Sequence, residues 1–573
     1  MKKVFNKLSG IIAAVFVSFP QTACSETNIV PDAEYEGYIV DIPNKLVFPG
    51  RINVQNGIIS SIDTLESVAE NSSYFLPGMT DSHIHIESTM LTPVNFSKIA
   101  VSHGVVNSVS DPHEITNVLG VEGIDFMVNN AKSTRFNCYF GLPSCVPSSH
   151  LESSGAVIDA AMTEELINRD DLWYLAEMMN YPGVINDDAE TIGKVRAALK
   201  AGKVVDGHAP GVSGNDLKKY HSAGISTDHE CSTMKEAIER INLGMKIIVR
   251  EGSAARNFEA LSDVLANYPQ QAMLCSDDKH PDDLIEGHID ALVRRGLTKG
   301  IPVWNILQAA CINPVNHYNL PSGLMQPGDK ATFITVDNLD DFNVLTTVID
   351  GVKVYDRAQG LIENALITST PSLVHPNNFK ATPVSVNDIA LNVTSNKVKV
   401  IEAMDGELLT KAIIVPVADL SSEAISKIVV YNRYGKGVPQ VAYIKGFNIR
   451  NGAIGASIAH DSHNIIAIGD NDEDICTIIN TLIKNKGGVG VVRDGAAHIL
   501  PLPIAGLMTD KSAEQVATEY QELDNLAKSL GCTFRSPFIT MAFMALPVIP
   551  ELKITDKGLV DVNKFDFTNI EAE

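Results

Sequence analysis

The sequence predicts an α/β protein built on a (β/α)8 barrel, with a discontinuous small β-sandwich domain and an additional C-terminal α+β domain. Three observations predict this fold. Short apolar runs alternate with helical patterns over residues 76–315. Two β-rich blocks flank that region, at 26–75 and 316–375, as expected when one sheet domain is assembled from both sides of an insertion. A region of mixed β and α pattern, 385–573, follows.

The barrel prediction depends on eight candidate strands joined by helical crossovers. Catalytic residues of such barrels lie at the C-terminal ends of the strands, so a site is expected where polar residues follow each apolar run. The candidate strands are Phe75 to His85, Val105 to Ser110, Asn137 to Leu142, Leu172 to Glu177, Lys203 to His208, Gly224 to Asp228, Met245 to Val249 and Ala272 to Cys275.

The flanking blocks show the alternation of apolar and polar residues that is typical of antiparallel strands. Asn56 and Gly57 form a pair that favours a two-residue hairpin turn. The predicted strands are Tyr38 to Asp41, Lys45 to Phe48, Arg51 to Val54 and Gly57 to Ile59, with a returning block at Lys330 to Val336 and Val344 to Val354.

Composition excludes several classes of function. Hydrophobic residues make up 45% and charged residues 20% of 573 residues, which is typical of a globular protein that does not insert stably into a membrane. The net charge of -24 repels phosphate backbones and argues against a nucleic-acid partner. A small-molecule substrate is expected instead, and a homo-oligomer is the default expectation for assembly.

The segment 1–25 has the layout of a secretory signal. Lys2, Lys3 and Lys7 precede an apolar stretch from Leu8 to Phe19. This layout predicts export to the periplasm. The alternative is a cytoplasmic enzyme with a fortuitous apolar leader.

His83 and His85 end the first candidate strand and form half of a possible metal site. Successive side chains of a strand point to opposite faces, so two histidines two positions apart project to the same side. Two surface histidines on an edge strand are the alternative interpretation. Metal-binding residues at the other strand ends would favour the metal site over two surface histidines.

Four other strand ends carry residues that can bind metals. Together with His83 and His85 they place four imidazoles and two carboxylates at one barrel mouth, which suits two metal ions with one carboxylate as a bridge. The residues at these ends are Glu177 on the fourth strand, His208 on the fifth, His229 within Asp228-His229-Glu230 on the sixth, and Asp277 with Asp278 after the eighth.

Longer motifs surround these residues and continue into the C-terminal region: PGMTDSHIHIES at 77–88, DPHEI at 111–115, EMMNYPGV at 177–184, DGHAPG at 206–211, SDDKHPDDL at 276–284, HDSHNII at 460–466 and LPLPIAGLM at 500–508. Together they resemble the amidohydrolase superfamily and, within it, the adenine deaminase family. The likeness covers roughly residues 37–573, and its C-terminal part points to the deaminases.

The resemblance implies a binuclear centre with two divalent metal ions, Mn²⁺ or alternatively Fe²⁺ or Zn²⁺. Many relatives bridge their metals with a carbamylated lysine, but Lys194 and Lys203 lie away from the fourth strand end, where this chain has a glutamate. The implied ligands are His83, His85 and Asp277 for one ion, His208 and His229 for the other, and Glu177 as the bridge.

The activity that the resemblance implies is hydrolytic deamination of adenine to hypoxanthine and ammonia in purine salvage, by a metal-activated hydroxide. Asp277 would accept a proton from the hydroxide and pass it to the leaving amine. The purine ring nitrogens gain negative charge during addition, so they need a hydrogen-bonding partner. Glu87 is the first candidate for this second role, because it continues the alternation of His83 and His85.

Three further residues are candidates for contacts with the purine: His113, Glu114 and Asp278. For each of these, and for Glu87, a hydrogen bond that orients a metal ligand is the alternative role. His460 and His463 are interpreted as structural or interface residues in preference to a further metal site or a wall of the pocket, because no carboxylate or thiol follows at ligand spacing.

Other functions remain open at this point. The barrel suits an amidohydrolase that acts on another aminated heterocycle or a cyclic amide, and a non-catalytic scaffold would share the same fold. The smaller zinc deaminases use H-x-E with a downstream P-C-x-x-C. Here His85-Ile86-Glu87 matches the first motif, but the chain has no P-C-x-x-C, so that mechanism is excluded.

Overall fold

The computed structural model of the chain describes residues 30–372 and 374–572. The signal-like segment 1–25 lies outside these residues. Within the described part, no helix combines the length and the apolar character that crossing a bilayer needs. The predicted fold class is confirmed: a parallel barrel is joined to a small antiparallel sheet and to a C-terminal α+β domain.

The small sheet contains chain from both sides of the barrel. The strand Phe333–Val336 pairs antiparallel with Tyr74–Pro77, so the chain segments before and after the barrel share one ladder. Its core includes Ile52, Phe75 and Phe333, all buried. In spatial order its strands are Gly360–Leu361, Val352–Asp356, Val344–Ile349, Phe333–Val336, Tyr74–Pro77, Ala33–Asp41, Leu46–Gln55 and Ile58–Thr64, and a short helix, Glu363–Leu366, follows.

The hairpin turn predicted at Asn56 and Gly57 is confirmed, and both residues have positive φ. Two strand boundaries were wrong. Leu46–Gln55 is one continuous strand, because Pro49 stays in register with Tyr38 on one side and its carbonyl oxygen accepts the Leu65 N–H at 2.9 Å on the other. The predicted strand from Phe75 to His85 is divided at Gly78 into Tyr74–Pro77 of the small sheet and Met79–Ile84 of the barrel.

The barrel has eight parallel strands, each overlapping one predicted segment. A parallel bridge between Ile84 and Asp277 joins the first strand to the residues after the last strand and closes the ring. The interior of the domain is filled by aliphatic side chains such as Val106, Leu175 and Ile247. The strands are Met79–Ile84, Val105–Ser110, Asn137–Phe140, Leu175–Met178, Val205–Gly207, Thr227–Asp228, Lys246–Arg250 and Ala272–Cys275.

Helices surround the barrel and have well-defined starts. Thr233 and Glu236 form a capping box at one helix, and Asp188 caps another by accepting the Thr191 N–H. The helices are Pro93–Ala100, His113–Leu119, Val121–Ala131, Ala160–Leu166, Tyr181–Ile185, Ala189–Lys200, Gly214–Ser222, Met234–Leu243, Phe258–Asn267, Pro281–Glu286, Ile289–Thr298, Val303–Leu307 and Asn313–Tyr318, with 3-10 turns Ile86–Thr89 and Val101–His103 and a π-turn Gln308–Ile312.

The C-terminal domain is an eight-stranded sheet covered by helices. The helix Asp472–Asn485 buries Ile475, Ile479 and Leu482 against it. The strands, in spatial order, are Thr410–Pro416, Lys397–Ala403, Gln440–Lys445, Ser426–Tyr431, Asn464–Gly469, Gly452–Ala459, Gly488–Arg493 and Ala496–Pro501. A three-stranded sheet, Leu552–Thr555, Gly558–Asp561 and Asp566–Phe567, and the helices Ala513–Ser529 and Pro537–Ala542 complete the domain, with 3-10 turns at Val386–Ile389, Val417–Asp419 and Phe543–Ala545.

This domain packs on the rim of the barrel. His280 Nδ1 lies 2.6 Å from the hydroxyl oxygen of Tyr520. The Asn95 amide donates to the carbonyl oxygens of Asp510 and Lys511 at 3.1 and 2.9 Å. The C-terminal domain therefore covers part of the barrel end at which catalytic residues are expected.

Gly78, at the boundary between the small sheet and the barrel, generates a stability prediction. A Cβ at this position would lie 2.3 Å from Cγ2 of Val106. We expect Gly78→Ala to lower the free energy of unfolding by about 1–3 kcal/mol through overpacking, measured by guanidinium unfolding. The double variant Gly78→Ala/Val106→Ala lacks the clashing methyl groups of Val106. Its loss in free energy of unfolding should therefore be smaller than the sum of the losses in the two single variants. Strictly additive losses would contradict the clash.

Candidate metal centre

His83 and His85 converge on one point at the end of the first barrel strand. Their Nε2 atoms lie 3.1 Å apart, and both side chains are buried. Nδ1 of His85 lies 3.1 Å from the carbonyl oxygen of Asp111, which can only accept, so this nitrogen carries the proton. In the neutral imidazole Nε2 of His85 is then the unprotonated nitrogen, which is the arrangement of a metal-binding imidazole with an orienting partner.

Glu177 has one carboxylate oxygen on each side of the site. Its Oε1 lies 3.4 Å from Nε2 of His85 and 4.0 Å from Nε2 of His83. Its Oε2 lies 2.7 Å from Nδ1 of His208 and 3.2 Å from Nε2 of His229. The structure thus brings together all four predicted histidines around one carboxylate, in the geometry of a bridging ligand.

Asp277 lies over the first pair of imidazoles. Its Oδ1 is 3.3 Å from Nε2 of His85 and 3.6 Å from Nε2 of His83. The residue has a φ of 54° two positions after the end of the last strand, and its backbone N–H donates to the carbonyl oxygen of His83 at 2.9 Å. The closure of the barrel therefore positions this carboxylate.

These spacings fit divalent metal ions. Ligand atoms around a tetrahedral ion with bonds of about 2.1 Å lie about 3.4 Å apart. His83, His85 and Asp277 form one group of buried donor atoms, and His83, Glu177 and His229 form another. Imidazole nitrogen and carboxylate oxygen suit Mn²⁺, Fe²⁺ or Zn²⁺.

The two lysines near the fourth strand have other partners. Lys194 Nζ donates to the carbonyl oxygens of Ser144 and Ile158 at 2.9 and 2.6 Å. Lys203 Nζ donates to the carbonyl oxygen of Arg169 at 2.8 Å. Both amines are held by backbone carbonyls, and Glu177 is the carboxylate that lies between the two imidazole pairs.

Arg250 and Glu230 belong to this site, although the sequence reasoning did not select them. Nη1 of Arg250 donates to Oδ2 of Asp277 at 2.6 Å, and Nη2 donates to Oε2 of Glu230 at 2.9 Å. Burial alone would raise the pKa of Asp277, but Arg250 and the imidazoles outweigh it and hold that pKa well below its usual range. Arg250 is the last residue of the seventh strand, so applying the strand-end rule to that strand would have found it.

A cavity contains most of this cluster, and residues of the C-terminal domain line its far side. The barrel side of the lining is His85, His113, Glu114, Glu177, Met179, His208, His229, Glu230, Arg250, Asp277 and Asp278, and the opposite side is Leu408, His460, Asp461, Phe543, Leu546 and Ile549.

His460 corrects one interpretation of the sequence in part. It lines the cavity, as the alternative of a pocket wall expects, and its Nδ1 lies 3.2 Å from Oε1 of Glu114 across the boundary between the two domains, as the preferred structural or interface role expects. His463 is buried behind it and contacts Oε2 of Glu114. The carboxylate partner was missed because it lies on the barrel, more than three hundred residues earlier in the chain.

Glu87 is a second correction. The alternation used to place it was wrong, because the strand ends at Ile84 and residues 86–89 form a 3-10 turn. Glu87 is buried outside the cavity lining, and its Oε1 accepts the Ile115 N–H at 3.2 Å. Burial and the nearby Glu114 raise its pKa to about 8.

The other three candidates for purine contacts lie at the cavity. His113 Nδ1 is 3.1 Å from Oδ2 of Asp111 and 3.4 Å from Oε1 of Glu177. Asp278 accepts a hydrogen bond from Ser88 Oγ at 2.5 Å. Burial raises the pKa of Asp278 to about 6.

Comparison with known proteins gives the same family for both parts of the chain. The amidohydrolase family profile matches residues 74–354, and the adenine deaminase C-terminal domain profile matches residues 402–566. The adenine deaminase of Methanosarcina mazei is 48% identical over 561 residues, covering 94% of this chain and 100% of its own length. That of Borreliella burgdorferi is 44% identical over 549 residues, covering 93% and 99%.

Among solved structures, dihydropyrimidinase from Brevibacillus agri aligns with 58% of this chain and 97% of its own, at 14% identity and a TM-score of 0.44. The sequence relatives are far closer and extend over both the barrel and the C-terminal domain. Together with the His, Asp and Glu cluster at the barrel mouth, they support the use of divalent metal ions. The chain belongs to the adenine deaminase family of the amidohydrolases.

Proposed function

We propose that this protein hydrolyses adenine to hypoxanthine and ammonia at a centre for two divalent metal ions, as in purine salvage. The observation that carries the proposal is Glu177, whose two carboxylate oxygens face one imidazole pair each at the cavity. The curated relatives named adenine deaminase, at up to 48% identity over nearly their full lengths, support adenine as the substrate.

Six residues are proposed to hold the metals. Two divalent cations in this site would lower the pKa of water so that hydroxide is available at neutral pH. We propose Mn²⁺ as the native ion, with Fe²⁺ and Zn²⁺ as alternatives that the same donors accept. The ligands would be His83, His85 and Asp277 for one ion, His208 and His229 for the other, and Glu177 for both.

Asp277 is proposed as the proton carrier. Its Oδ1 faces the reacting centre beside His83 and His85, and its Oδ2 is held by Arg250. Arg250 keeps the carboxylate ionised, so it can accept a proton from water and then donate it to the departing amine. Because Arg250 holds Oδ2, Oδ1 of Asp277 is proposed to carry out both proton transfers.

The ring of the purine is proposed to contact Glu114 and Asp278 on the barrel side and His460 on the opposite wall. Donor and acceptor atoms of these three residues lie within 4.8 Å of one another. Nε2 of His113 lies 3.4 Å from a carboxylate oxygen of Glu114, and its Nδ1 lies 3.4 Å from one of Glu177. Such groups can stabilise charge that develops on ring nitrogens during addition. Phe543, Leu546 and Ile549 add apolar surface for the faces of the base.

Assembly and location are also proposals. A homo-oligomer is expected, and sedimentation would give the number of subunits. Export through the signal-like segment 1–25 is proposed, with a cytoplasmic location as the alternative. Fractionation of the native cells, with antibody against the mature chain, distinguishes the two.

The proposed activity predicts that metal-loaded protein converts adenine to hypoxanthine with release of one ammonia per turnover. Loss of adenine ultraviolet absorbance and coupled ammonia detection would measure it, beside guanine, cytosine and adenosine. Removal of the metals with a chelator should abolish turnover, and Mn²⁺ should restore it. Turnover of another heterocycle or a cyclic amide without any on adenine would overturn the substrate assignment.

Asp277→Asn is expected to reduce kcat by about 10²- to 10⁴-fold, because the amide cannot carry the proton. Most metal should stay bound, since the histidines and Glu177 remain. His83→Ala is the matched comparison and should lose metal as well as activity. Metal analysis on both variants separates the two effects, and a near-normal rate for Asp277→Asn would refute the role of its carboxylate.

Glu177→Ala should reduce bound metal below two equivalents, because both imidazole pairs lose their shared carboxylate. Plasma emission analysis after reconstitution would measure it. Lys194→Met is the control: its amine contacts only backbone carbonyls, so two equivalents should remain. Loss of metal from Lys194→Met with retention in Glu177→Ala would instead point to a lysine bridge.

A further inference from the structure

A second cavity adjoins the one that contains the metal ligands. The outer cavity lies between three barrel loops and two segments of the C-terminal domain, and part of its lining is exposed to solvent. Glu230, Arg250, Leu408 and Ile549 line both cavities.

Leu408 lies on the connection 404–409 between the strands Lys397–Ala403 and Thr410–Pro416. Its neighbours from Asp405 to Glu407 are exposed and so is Leu409, while Leu408 itself is partly buried and turns inward. The connection thus leads from solvent to the wall of the inner cavity within a few residues. A single side chain of this segment touches both spaces.

Lys553 links two segments of the cavity wall, the connection that carries Leu408 and the turn that carries Phe543. Its ammonium is fully buried and donates to the carbonyl oxygens of Leu408 at 2.7 Å and Phe543 at 2.9 Å. Both of these residues line the inner cavity. Burial of a lysine is costly, and it lowers the pKa of Lys553 to about 7. We therefore expect the buried lysine to fix the positions of the Leu408 and Phe543 backbones, whose carbonyl oxygens it contacts.

We propose that the outer cavity is the route by which the base reaches the metal centre, that Leu408 is the gate between the two cavities, and that Lys553 holds this gate closed. The inference rests on the proposed function for the identity of the base. The gate itself is defined by the two cavities and the two carbonyl contacts. Lys553 is a positioning residue, since it acts through the backbone of Leu408.

The gate can be tested without adenine. Zn²⁺-loaded protein is mixed with 1,10-phenanthroline, a flat aromatic chelator, and metal loss is followed with time. We expect Leu408→Ala and Lys553→Met to lose metal about fivefold faster or more, and Leu408→Trp to lose it about fivefold more slowly. Val438→Trp, at a residue 66% exposed in the same domain, is the control and should match the wild type.

Activity provides the second readout. With two equivalents of metal retained, Leu408→Trp should lower kcat/KM for adenine at least about tenfold through slower access, and Lys553→Met should raise KM more than it lowers kcat. Thermal unfolding checks that each variant is folded. If Leu408→Trp fails to bind metal, Leu408→Phe makes the same comparison with a smaller ring.

The outcomes separate the two proposals. Chelation rates within about twofold of the wild type for both Leu408→Ala and the bulky variant would overturn the gate. Shifted chelation rates with no adenine turnover by the wild type would leave the gate standing and overturn the proposed substrate. An unchanged chelation rate in Lys553→Met alone would remove Lys553 from the gate and leave Leu408 in place.

Discussion

The two oxygens of Glu177, shared between two imidazole pairs, are the interaction on which the rest of the site depends. A buried carboxylate is costly unless it is paired, and here each oxygen has its own partners. The strand that carries Glu177 pairs on one side with Leu142 and on the other with the strand Val205–Gly207. Glu177 reaches both imidazole pairs only when its strand is paired on both sides, so the arrangement of these side chains depends on the closed barrel.

The same constraint explains how the chain divides its tasks. The barrel rim provides nitrogen and oxygen ligands, because the ends of parallel strands meet there. The C-terminal domain provides Phe543, Leu546 and Ile549 as the opposite wall. Exclusion of water by this wall strengthens every charge interaction inside the cavity, including the contact between Arg250 and Asp277. The chemistry resides in the barrel, while the shape of the cavity depends on both domains.

The parts of the fold that follow from local patterns were predictable. Short apolar runs between helical patterns located all eight barrel strands, and the pair Asn56 and Gly57 located a hairpin turn. The division at Gly78 was not predictable from the run of apolar residues. It depends on the close approach of Val106, which leaves no space for a side chain. The continuity of the strand through Pro49 likewise depends on its neighbours in space, Tyr38 on one side and Leu65 on the other.

The sequence by itself determined which candidate ligands lie at or just after the ends of predicted strands, such as His83, His208 and Asp277, because the strand direction places those side chains at one rim. It misplaced Glu87, since the strand ends at Ile84 and residues 86–89 form a 3-10 turn. Only the tertiary structure decided that His460 reaches Glu114 and lines the cavity. The physical reason is that such contacts join residues hundreds of positions apart, where no local period or motif fixes their separation, and only the packing of the C-terminal domain on the barrel brings them together.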